Sequence, residues 1–349
     1  MNATLAQVAE RAGVSSRTAS VVLNGKVREG RISAAVAERV AEAARLLDYR
    51  PHAGARAMFT KQSWHVGVLV QNHPADPLSH PLAYETILGI NEGLDQFGYV
   101  VSMIRFTDVT QNPDEPRARV FRERMLDGMI VLAWVPPAMR AAVERLMPAC
   151  VWADSPIYHP ERCVGRDEET AAATTVERVV AVGYRKLVLV TRTLLDRGDG
   201  MGHFERRHEA MVATAARLGV PLRTEVVPYD EPRTAPLAIP PAVWQQAGAE
   251  TAVIANDIYL AQALGHGAAA RGLQVGRHFG LASCDDSNQT AQLWPDLSRF
   301  TFDRYALGLR AAELMQQILV APSVAQPSQT IGGEWIPGTT APGPARGVP

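Results

Sequence analysis

Between residues 4 and 24, hydrophobic positions recur at helical spacing in two short runs that a glycine separates. Thr4 and Ser15 each stand where a helix N-cap belongs, and Gly13 can adopt the left-handed conformation that ends a helix. Two helices joined this tightly must cross steeply, which is the helix-turn-helix arrangement that places its second helix in a DNA major groove. An ordinary helical hairpin is the alternative. The two apolar faces comprise Leu5, Val8, Ala9 and Ala12, and Thr18, Ala19, Val22 and Leu23.

The pattern predicts a third helix over residues 33–48 and a weak fourth helix after it. Tyr49-Arg50-Pro51 ends the third helix, because the residue before a proline leaves the helical region. The next segment is Ala-rich but contains Gly54, so it forms a helix that is marginal in isolation. We therefore predict a DNA-binding head over residues 1–50 and a hinge or linker over residues 51–62.

From residue 65 onward, apolar strands alternate with amphipathic helices. This alternation is typical of parallel sheets that are covered on both faces, and its spacing predicts two doubly wound units in series. The second unit begins near residue 165, and we expect the chain to cross back near residue 295. The body spans residues 63–336, and the Pro-, Gly- and Thr-rich tail over 337–349 is expected to be disordered. The predicted strands cover residues 65–71, 100–105, 128–134, 150–154, 186–191, 224–228, 251–255 and 279–284.

The charge distribution distinguishes the head from the body. Residues 1–62 contain 10 Lys and Arg against 5 Asp and Glu, whereas the whole chain contains 35 against 36. A basic head on an acidic body suits a phosphate-binding module attached to a body that does not itself bind nucleic acid. The three cysteines match no zinc or redox spacing, no apolar run reaches membrane-spanning length, and the N-terminus lacks a signal-peptide pattern. We therefore expect a cytoplasmic protein without a metal, a cofactor or a membrane contact.

Four stretches carry longer motifs. Residues 4–24 follow the signature Thr-hydrophobic-x-x-Val-Ala-x-x-Ala-Gly-Val-Ser-x-x-Thr-x-Ser-x-Val-Leu-Asn almost position for position, and residues 49–58 contain a hinge-like Tyr-Arg-Pro segment followed by Ala-Arg-Ala-Met. The third stretch is residues 183–187. The fourth consists of two short segments, Asn256-Asp257 and Cys284-Asp285-Asp286. Together they resemble the lactose-repressor (LacI/GalR) family of bacterial transcription regulators. The resemblance implies an α/β protein with a three-helix helix-turn-helix head and a periplasmic-binding-protein-like body of two doubly wound parallel-sheet subdomains.

The resemblance also implies which residues contact DNA. Ser16, Arg17 and Val21 would face base edges, and the Arg17 fork can bind guanine O6 and N7 together, a phosphate contact being its alternative. Met58 would insert between base steps in the minor groove, and Arg56 would reach the groove or a phosphate. A buried linker methionine and a solvated arginine are the alternatives for these two residues. The other predicted contacts are Thr4, Ser15, Ser20, Asn24 and Tyr49, of which Thr4 and Ser15 can also serve as helix caps.

The head and the hinge depart from the family pattern at several positions. Gln7 replaces a usual Asp, and the loop over residues 25–31 is about three residues longer than usual. His52 stands where Asn is usual, and Met58 stands where Leu is usual. Gly54 makes the hinge helix costlier to form.

In the body, the resemblance implies a small polar effector, sugar-like or purine-like, bound in the cleft between the two subdomains. Arg207 aligns with a ligand-binding arginine of the family, and its fork of donors suits vicinal hydroxyls or a carboxylate. Trp134, Trp152 or Tyr229 could stack on an apolar ligand face, with a core position as the alternative. The predicted effector-binding residues are Arg207, Asp285, Asn256, Asp154, His73 and Trp152.

These features predict a sequence-specific DNA-binding transcriptional regulator, a repressor, that binds a palindromic double-stranded operator as a homodimer under the control of its effector. Its expected location is the cytoplasm, at the nucleoid. A doubly wound sugar-binding protein or a sugar-modifying enzyme is the alternative. The sequence contains no Gly-x-Ser-x-Gly elbow, Walker loop or His-Glu-x-x-His motif that would favour an enzyme.

Overall fold

The computed structural model describes residues 3–25, 31–70, 79–105, 119–132, 135, 137–155, 157, 159–192, 202–227, 239–286, 292 and 294–344. The chain divides into two units, Met1–Trp64 and His65–Pro349. No helix in the described ranges is long and apolar enough to cross a membrane.

The described part of the first unit consists of helices. They are α1 (Leu5–Ala12), α2 (Ser16–Leu23), α3 (Ala34–Leu46) and α4 (Ala53–Thr60). Val8, Ala19 and Val40 are fully buried where α1, α2 and α3 meet, so the three predicted head helices share one small core. The added loop lies mostly at residues 26–30, which are outside the described residues.

Local hydrogen bonds define the ends of the head helices. Thr4 and Gln7 form a reciprocal capping box, in which the Thr4 amide donates to Gln7 Oε1 at 2.8 Å and the Gln7 amide donates to Thr4 Oγ1 at 3.3 Å. Gly13 ends α1 in the left-handed conformation with φ +64°. The unusual Gln7 therefore preserves the N-terminus of α1.

Two six-stranded sheets form the second unit. The first has the order β11-β5-β4-β3-β1-β2 and is parallel throughout. The second has the order β12-β10-β9-β8-β6-β7 and is parallel except for its β10–β12 pair. The strands are β1 (His65–Val70), β2 (Val100–Arg105), β3 (Gly128–Leu132), β4 (Cys150–Ala153), β5 (Cys163–Arg166), β6 (Lys186–Arg192), β7 (Leu222–Val227), β8 (Thr251–Ala255), β9 (Gly280–Asp286), β10 (Ser298–Phe302), β11 (Gln329–Ile331) and β12 (Gly333–Ile336).

Helices cover the two sheets and form two subdomains within this unit. They are α5 (Ser79–Gln96), α6 (Arg119–Arg122), α7 (Pro137–Leu146), α8 (Glu168–Ala181), α9 (His203–Arg217), α10 (Pro241–Gln246), α11 (Ile258–Ala269) and α12 (Arg304–Val320). Helix α8 packs on the second sheet, whereas α12 packs on the first sheet and on α5. The doubly wound architecture predicted from the alternation of strands and helices is confirmed.

The chain passes between the two sheets three times. It leaves the first sheet after β5, returns after β10 through Asp303 into α12, and crosses again between β11 and β12 at Gly332. The prediction of a return near residue 295 is therefore wrong by several residues. Its cause is β10, an additional strand of the second sheet that the sequence analysis did not predict.

The tail is ordered over the part that the structure describes, so the prediction of disorder is wrong for residues 337–344. Thr340 Oγ1 donates to the Leu281 carbonyl at 2.7 Å, and the Leu281 amide donates to the Thr340 carbonyl at 2.8 Å. Ala341 is buried in the core of the second subdomain. These bonds dock the tail beside β9 despite its Pro- and Gly-rich composition. Residues 345–349 lie outside the described residues.

Glycines bring α5 and α12 into backbone contact. A Cβ built on Gly308 would lie 2.1 Å from the Thr86 carbonyl oxygen, and a Cβ on Gly89 would lie 2.1 Å from the Tyr305 carbonyl oxygen. Backbone atoms cannot move aside as a side-chain end can. This close crossing therefore positions the first turn of α12, where the chain returns from the second sheet.

We expect Gly308→Ala to destabilise the protein by about 1–3 kcal/mol or more, because the added methyl overlaps the α5 backbone. Urea unfolding of the full chain measures the effect. Gly248→Ala is the matched control, since its Cβ would lie 3.8 Å from its nearest neighbour, Thr251 Oγ1. Equal stability of the two variants would contradict the close crossing.

Candidate functional site

Helix α2 presents a polar surface at its N-terminus. Ser15 caps it by accepting the Thr18 amide at 3.1 Å, and Ser16 and Arg17 directly after the cap are exposed. Val21, one turn further on, is half-buried. Arg17 makes no ion pair within the part of the chain that the structure describes, so its guanidinium is available to a base edge or a phosphate.

Some predicted DNA contacts also have structural roles in the head. Thr4 and Ser15 are engaged as helix caps, as their capping alternative predicts. Asn24 Nδ2 donates to the Ser20 carbonyl at 2.8 Å and lies 3.2 Å from Ser20 Oγ, which closes α2. Tyr49 is half-buried against the head core. A DNA contact by these residues stays a prediction.

The hinge helix α4 begins with an unusual cap. His52 Nδ1 accepts the Ala55 amide at 3.3 Å, so the imidazole replaces the shorter amide side chain that is usual there. A Cβ on Gly54 would lie 3.1 Å from His52 Cε1 and 3.3 Å from Nδ1. The two departures from the family pattern therefore form one local structure, since Gly54 leaves room for the capping ring.

Two side chains of α4, those of Arg56 and Met58, are predicted to enter the minor groove. The structure describes only the first of them. The Arg56 guanidinium lies over the Trp64 ring, 5.9 Å from its centroid, which is a cation–π geometry, and Arg56 is exposed to solvent. The Met58 side chain lies outside the described part of the structure. Its role as an inserted wedge stays a prediction.

Six charged side chains meet between the two subdomains in a cluster that we call the hinge ion cluster. Each is at most 11% exposed, so the cluster is almost completely shielded from solvent. Its members are Asp154, Arg166, Glu168, Arg207, Asp285 and Arg304.

The connections between the sheets place three of these six residues. Arg166 ends β5 and Glu168 begins α8, so both flank the first crossing, whereas Arg304 begins α12 at the second crossing. Asp167 and Asp303 cap the two helices by accepting amides at 3.0 and 2.9 Å, which fixes where each helix begins. The remaining members come from β9, from α9 and from the end of β4.

Asp285 is the centre of the cluster. Arg166 Nη1 and Arg207 Nη2 both donate to its Oδ2 at 2.8 Å, and Arg304 Nη2 donates to its Oδ1 at 2.7 Å. One carboxylate thus holds three guanidinium groups from β5, α9 and α12. Because these elements pack on different sheets, Asp285 links the two subdomains.

The other two carboxylates complete the network. Arg207 Nε donates to Glu168 Oε2 at 2.5 Å, and Arg166 Nη2 lies 2.9 Å from Glu168 Oε1. Arg166 Nε donates to Asp154 Oδ1 at 2.6 Å. Asp154 has φ +46°, a left-handed backbone conformation that is uncommon outside Gly, Asn and Asp.

Asn256 extends the network into the second sheet. Arg207 Nη1 donates to the Asn256 carbonyl at 2.7 Å and to its Oδ1 at 3.0 Å. Asn256 Nδ2 in turn donates to Thr191 Oγ1 at 2.8 Å. This bond orients the amide so that its oxygen faces Arg207.

Mutual compensation keeps the buried groups ionised. Burial by itself raises the pKa of Asp285, but the charges of Arg166, Arg207 and Arg304 lower it well below its usual range. The pKa of Glu168 is lowered in the same way by Arg166 and Arg207 against the effect of burial. Burial lowers the pKa of Arg207, and its two carboxylate partners more than reverse that change.

The structure brings together four of the predicted effector residues: Arg207, Asp285, Asn256 and Asp154. Trp152 is buried in the core of the first sheet, as its core alternative predicts, so its selection as an effector contact is not supported. His73, Trp134 and Tyr229 lie outside the described residues. The described ranges contain no group of His, Cys, Asp and Glu side chains that could hold a metal ion.

The sequence analysis missed Arg166, Glu168 and Arg304. A local signal for them exists, since Arg166-Asp167-Glu168 and Asp303-Arg304 each place charged residues beside an Asp cap at the start of a helix. Both segments follow strands that the sequence analysis did not predict. Without those strands, nothing along the chain indicates that the two segments meet.

We expect Arg207→Ala to destabilise the protein by about 3–5 kcal/mol, because it leaves Glu168 and Asp285 buried with less compensation. Arg217→Ala in the same helix is the control. Arg217 pairs with Glu177 on the surface, and its loss should cost at most about 1 kcal/mol. Thermal and urea unfolding compare the variants, and similar losses would show that the cluster is not tightly coupled.

Comparison with known proteins relates both units to described families. Residues 4–52 match the family "Bacterial regulatory proteins, lacI family", and residues 176–341 match the "Periplasmic binding protein-like domain". The HTH-type transcriptional regulator GntR of Pseudomonas aeruginosa is 27% identical over 342 residues, which cover 95% of this chain and 93% of that protein. Catabolite control protein A of Priestia megaterium is 23% identical and covers 91% of this chain and 93% of its own length.

Solved structures establish the fold over the whole chain. The Lac repressor dimer bound to operator and the anti-inducer ONPF matches with a TM-score of 0.75 at 20% identity, over 98% of this chain and 99% of that one. The complex of the transcriptional regulator CelR with cellobiose matches with a TM-score of 0.61 at 17% identity, over 97% and 99%. The full-length relatives are regulatory proteins rather than enzymes. In its head and over most of its length, the chain is therefore similar to regulators of the lacI family of bacterial regulatory proteins.

Proposed function

We propose that the protein is a repressor that binds a palindromic operator as a homodimer and responds to a small polar effector, a sugar or a related metabolite. The observation that carries this proposal is the hinge ion cluster, which lies on two of the connections between the subdomains. A ligand that exchanges hydrogen bonds with these groups alters the contacts that hold the two subdomains at one angle. Among similar structures, CelR is a complex with cellobiose, and a LacI-family regulator of Enterococcus faecium has bound ribose.

The cluster offers the chemistry that hydroxyl-rich molecules need. Its carboxylates accept hydrogen bonds from hydroxyls, and its guanidinium groups donate to hydroxyl oxygens. Arg207, Asp285, Asn256 and Asp154 supply both kinds of group within one site. Effector binding would then shift operator affinity by linkage, with a coupling free energy of about 1–3 kcal/mol.

The first subdomain offers a surface for the second protomer. Tyr84 and Leu88 on α5, and Val100 and Met103 on the edge strand β2, are 40–56% exposed. Helix α5 packs on β2, so these apolar side chains belong to neighbouring elements. A dimer through this surface would supply the two heads that a palindromic operator requires. A cytoplasmic location at the nucleoid follows from this proposal.

We expect Arg17→Ala to relax base preference at one position in each half-site, at a cost of about 1–3 kcal/mol there, because a guanidinium fork distinguishes guanine. Selection of binding sites from a random DNA library by the full protein measures this preference. Arg45→Ala is the control, since Arg45 is exposed on α3 and paired with Glu42. An unchanged preference in Arg17→Ala would remove Arg17 from base readout.

A double-mutant cycle tests the hinge helix. In the wild-type background, Gly54→Ala should stabilise α4 only slightly, because the new methyl meets the His52 ring. In a His52→Asn background, the same substitution should stabilise α4 by about 1 kcal/mol. Asn is also a strong N-cap, so His52→Asn preserves the start of α4. Hydrogen-exchange protection of α4 amides in the full protein gives the two gains. Equal gains would mean that His52 and Gly54 are not coupled.

A further inference from the structure

Among the buried polar atoms of the body that have no hydrogen-bond partner in the described residues, two are donors in or beside the hinge ion cluster. They are the hydroxyl of Tyr259 and Nε of Arg304, whose side chain is only 1% exposed. The other nitrogens of Arg304 do have partners, since Nη2 donates to Asp285 at 2.7 Å and Nη1 lies 3.4 Å from Asp154. Arg304 is thus the least satisfied guanidinium of the hinge ion cluster, because Arg166 and Arg207 use Nε in short bonds.

Tyr259 follows β8, the parallel neighbour of the strand β9 that carries Asp285, so it lies at the same sheet edge as this partner of Arg304. Tyr259 stands in the first turn of α11, next to Asp257, which caps this helix and pairs with Arg192 Nε at 3.0 Å. Burial raises the pKa of Tyr259, and the charges of Asp257, Arg304 and Asp285 also act on it. The hydroxyl therefore keeps its proton at neutral pH, and it remains a hydrogen-bond donor beside the cluster.

A buried hydroxyl without a partner is unfavourable, because it loses its hydrogen bonds to water and gains none in return. Tyr184 shows the usual arrangement in this protein. It is 1% exposed, and its hydroxyl oxygen accepts a hydrogen bond from the Gly343 amide in the ordered tail. The Tyr259 hydroxyl and Arg304 Nε have no partner within the described residues, and an acceptor oxygen of a bound molecule can provide one.

The charge of the cluster restricts which molecule fits. Three guanidinium groups face three carboxylates, so the formal charges of the six cluster members cancel. An anionic ligand would leave one uncompensated negative charge in a buried place, which is costly. A neutral hydroxyl-rich ligand donates to the carboxylates and accepts from the free donors without changing that balance.

We propose that the Tyr259 hydroxyl and Arg304 Nε form a donor subsite that binds an oxygen atom of a neutral, hydroxyl-rich effector such as an uncharged sugar. This inference rests on the proposed function, because it assigns two contacts and a charge class to the same effector site. The two residues determine specificity. A ligand without an acceptor oxygen at that point leaves both donors buried and unpaired, and it binds less tightly.

Tyr259→Phe separates this role from a structural one. Because the removed hydroxyl has no partner within the described residues, the variant should be as stable as wild type or more stable. Its affinity for a neutral sugar should fall about tenfold, the effect of one lost hydrogen bond. Tyr184→Phe is the matched control with the opposite expectation, a less stable protein with unchanged sugar affinity.

The measurements are thermal unfolding of each full-length variant and calorimetric titration with D-ribose, cellobiose, D-glucose and D-gluconate. We expect a neutral sugar to bind, and D-glucose to bind more tightly than its acid D-gluconate. A loss of stability in Tyr259→Phe equal to that in Tyr184→Phe, or unchanged sugar affinity, would overturn the subsite. Tighter binding of gluconate would overturn the neutral class. Failure of the wild type to bind any of the four compounds would contradict the sugar-responsive function itself, together with this inference.

Discussion

The body depends on the mutual compensation of six buried charges where the chain passes between its two sheets. Each carboxylate of the hinge ion cluster is held by guanidinium groups from more than one element, and Asp285 alone accepts from three. Buried ion pairs of this kind add little net stability, since desolvation offsets most of their attraction. Their effect is geometric, because separating any one partner leaves an uncompensated charge. The subdomains are therefore held at an angle that is sensitive to any molecule able to substitute for these bonds.

That sensitivity is what a ligand-controlled regulator requires. Two donors, on Tyr259 and Arg304, remain without a hydrogen-bond partner within the described part of the site. Unpaired donors lower the stability of the protein without ligand, but they strengthen the binding of a ligand that pairs with them. Functional sites commonly combine these two effects. The backbone contact of α5 with α12 lies in the first turns of α12, close to Arg304 at the start of this helix.

The head is stabilised by local interactions rather than by a buried charge cluster. Its core is small, and its helices depend on local caps, including the reciprocal bonds between Thr4 and Gln7. Helix α4 is marginal, with an imidazole cap and a glycine beneath it. Such a short helix forms readily only when its surroundings favour it. This marginal stability is consistent with the predicted role of α4 as a hinge that orders on DNA.

Local chemistry explains what the sequence determined by itself. Caps at Thr4 and Ser15, the glycine turn and the 3.6-residue period act over a few residues, and long apolar runs mark the eight predicted strands, so the head and the two doubly wound halves could be predicted. The family motifs located Arg207 and Asp285. Only the tertiary structure decided the crossings, because β5, β10, β11 and β12 are short strands of mixed polarity whose pairing is set by neighbours far along the chain. The same long-range contacts decide the core position of Trp152 and the order of the tail. They also bring Arg166 and Arg304 to one carboxylate, and no local pattern encodes this.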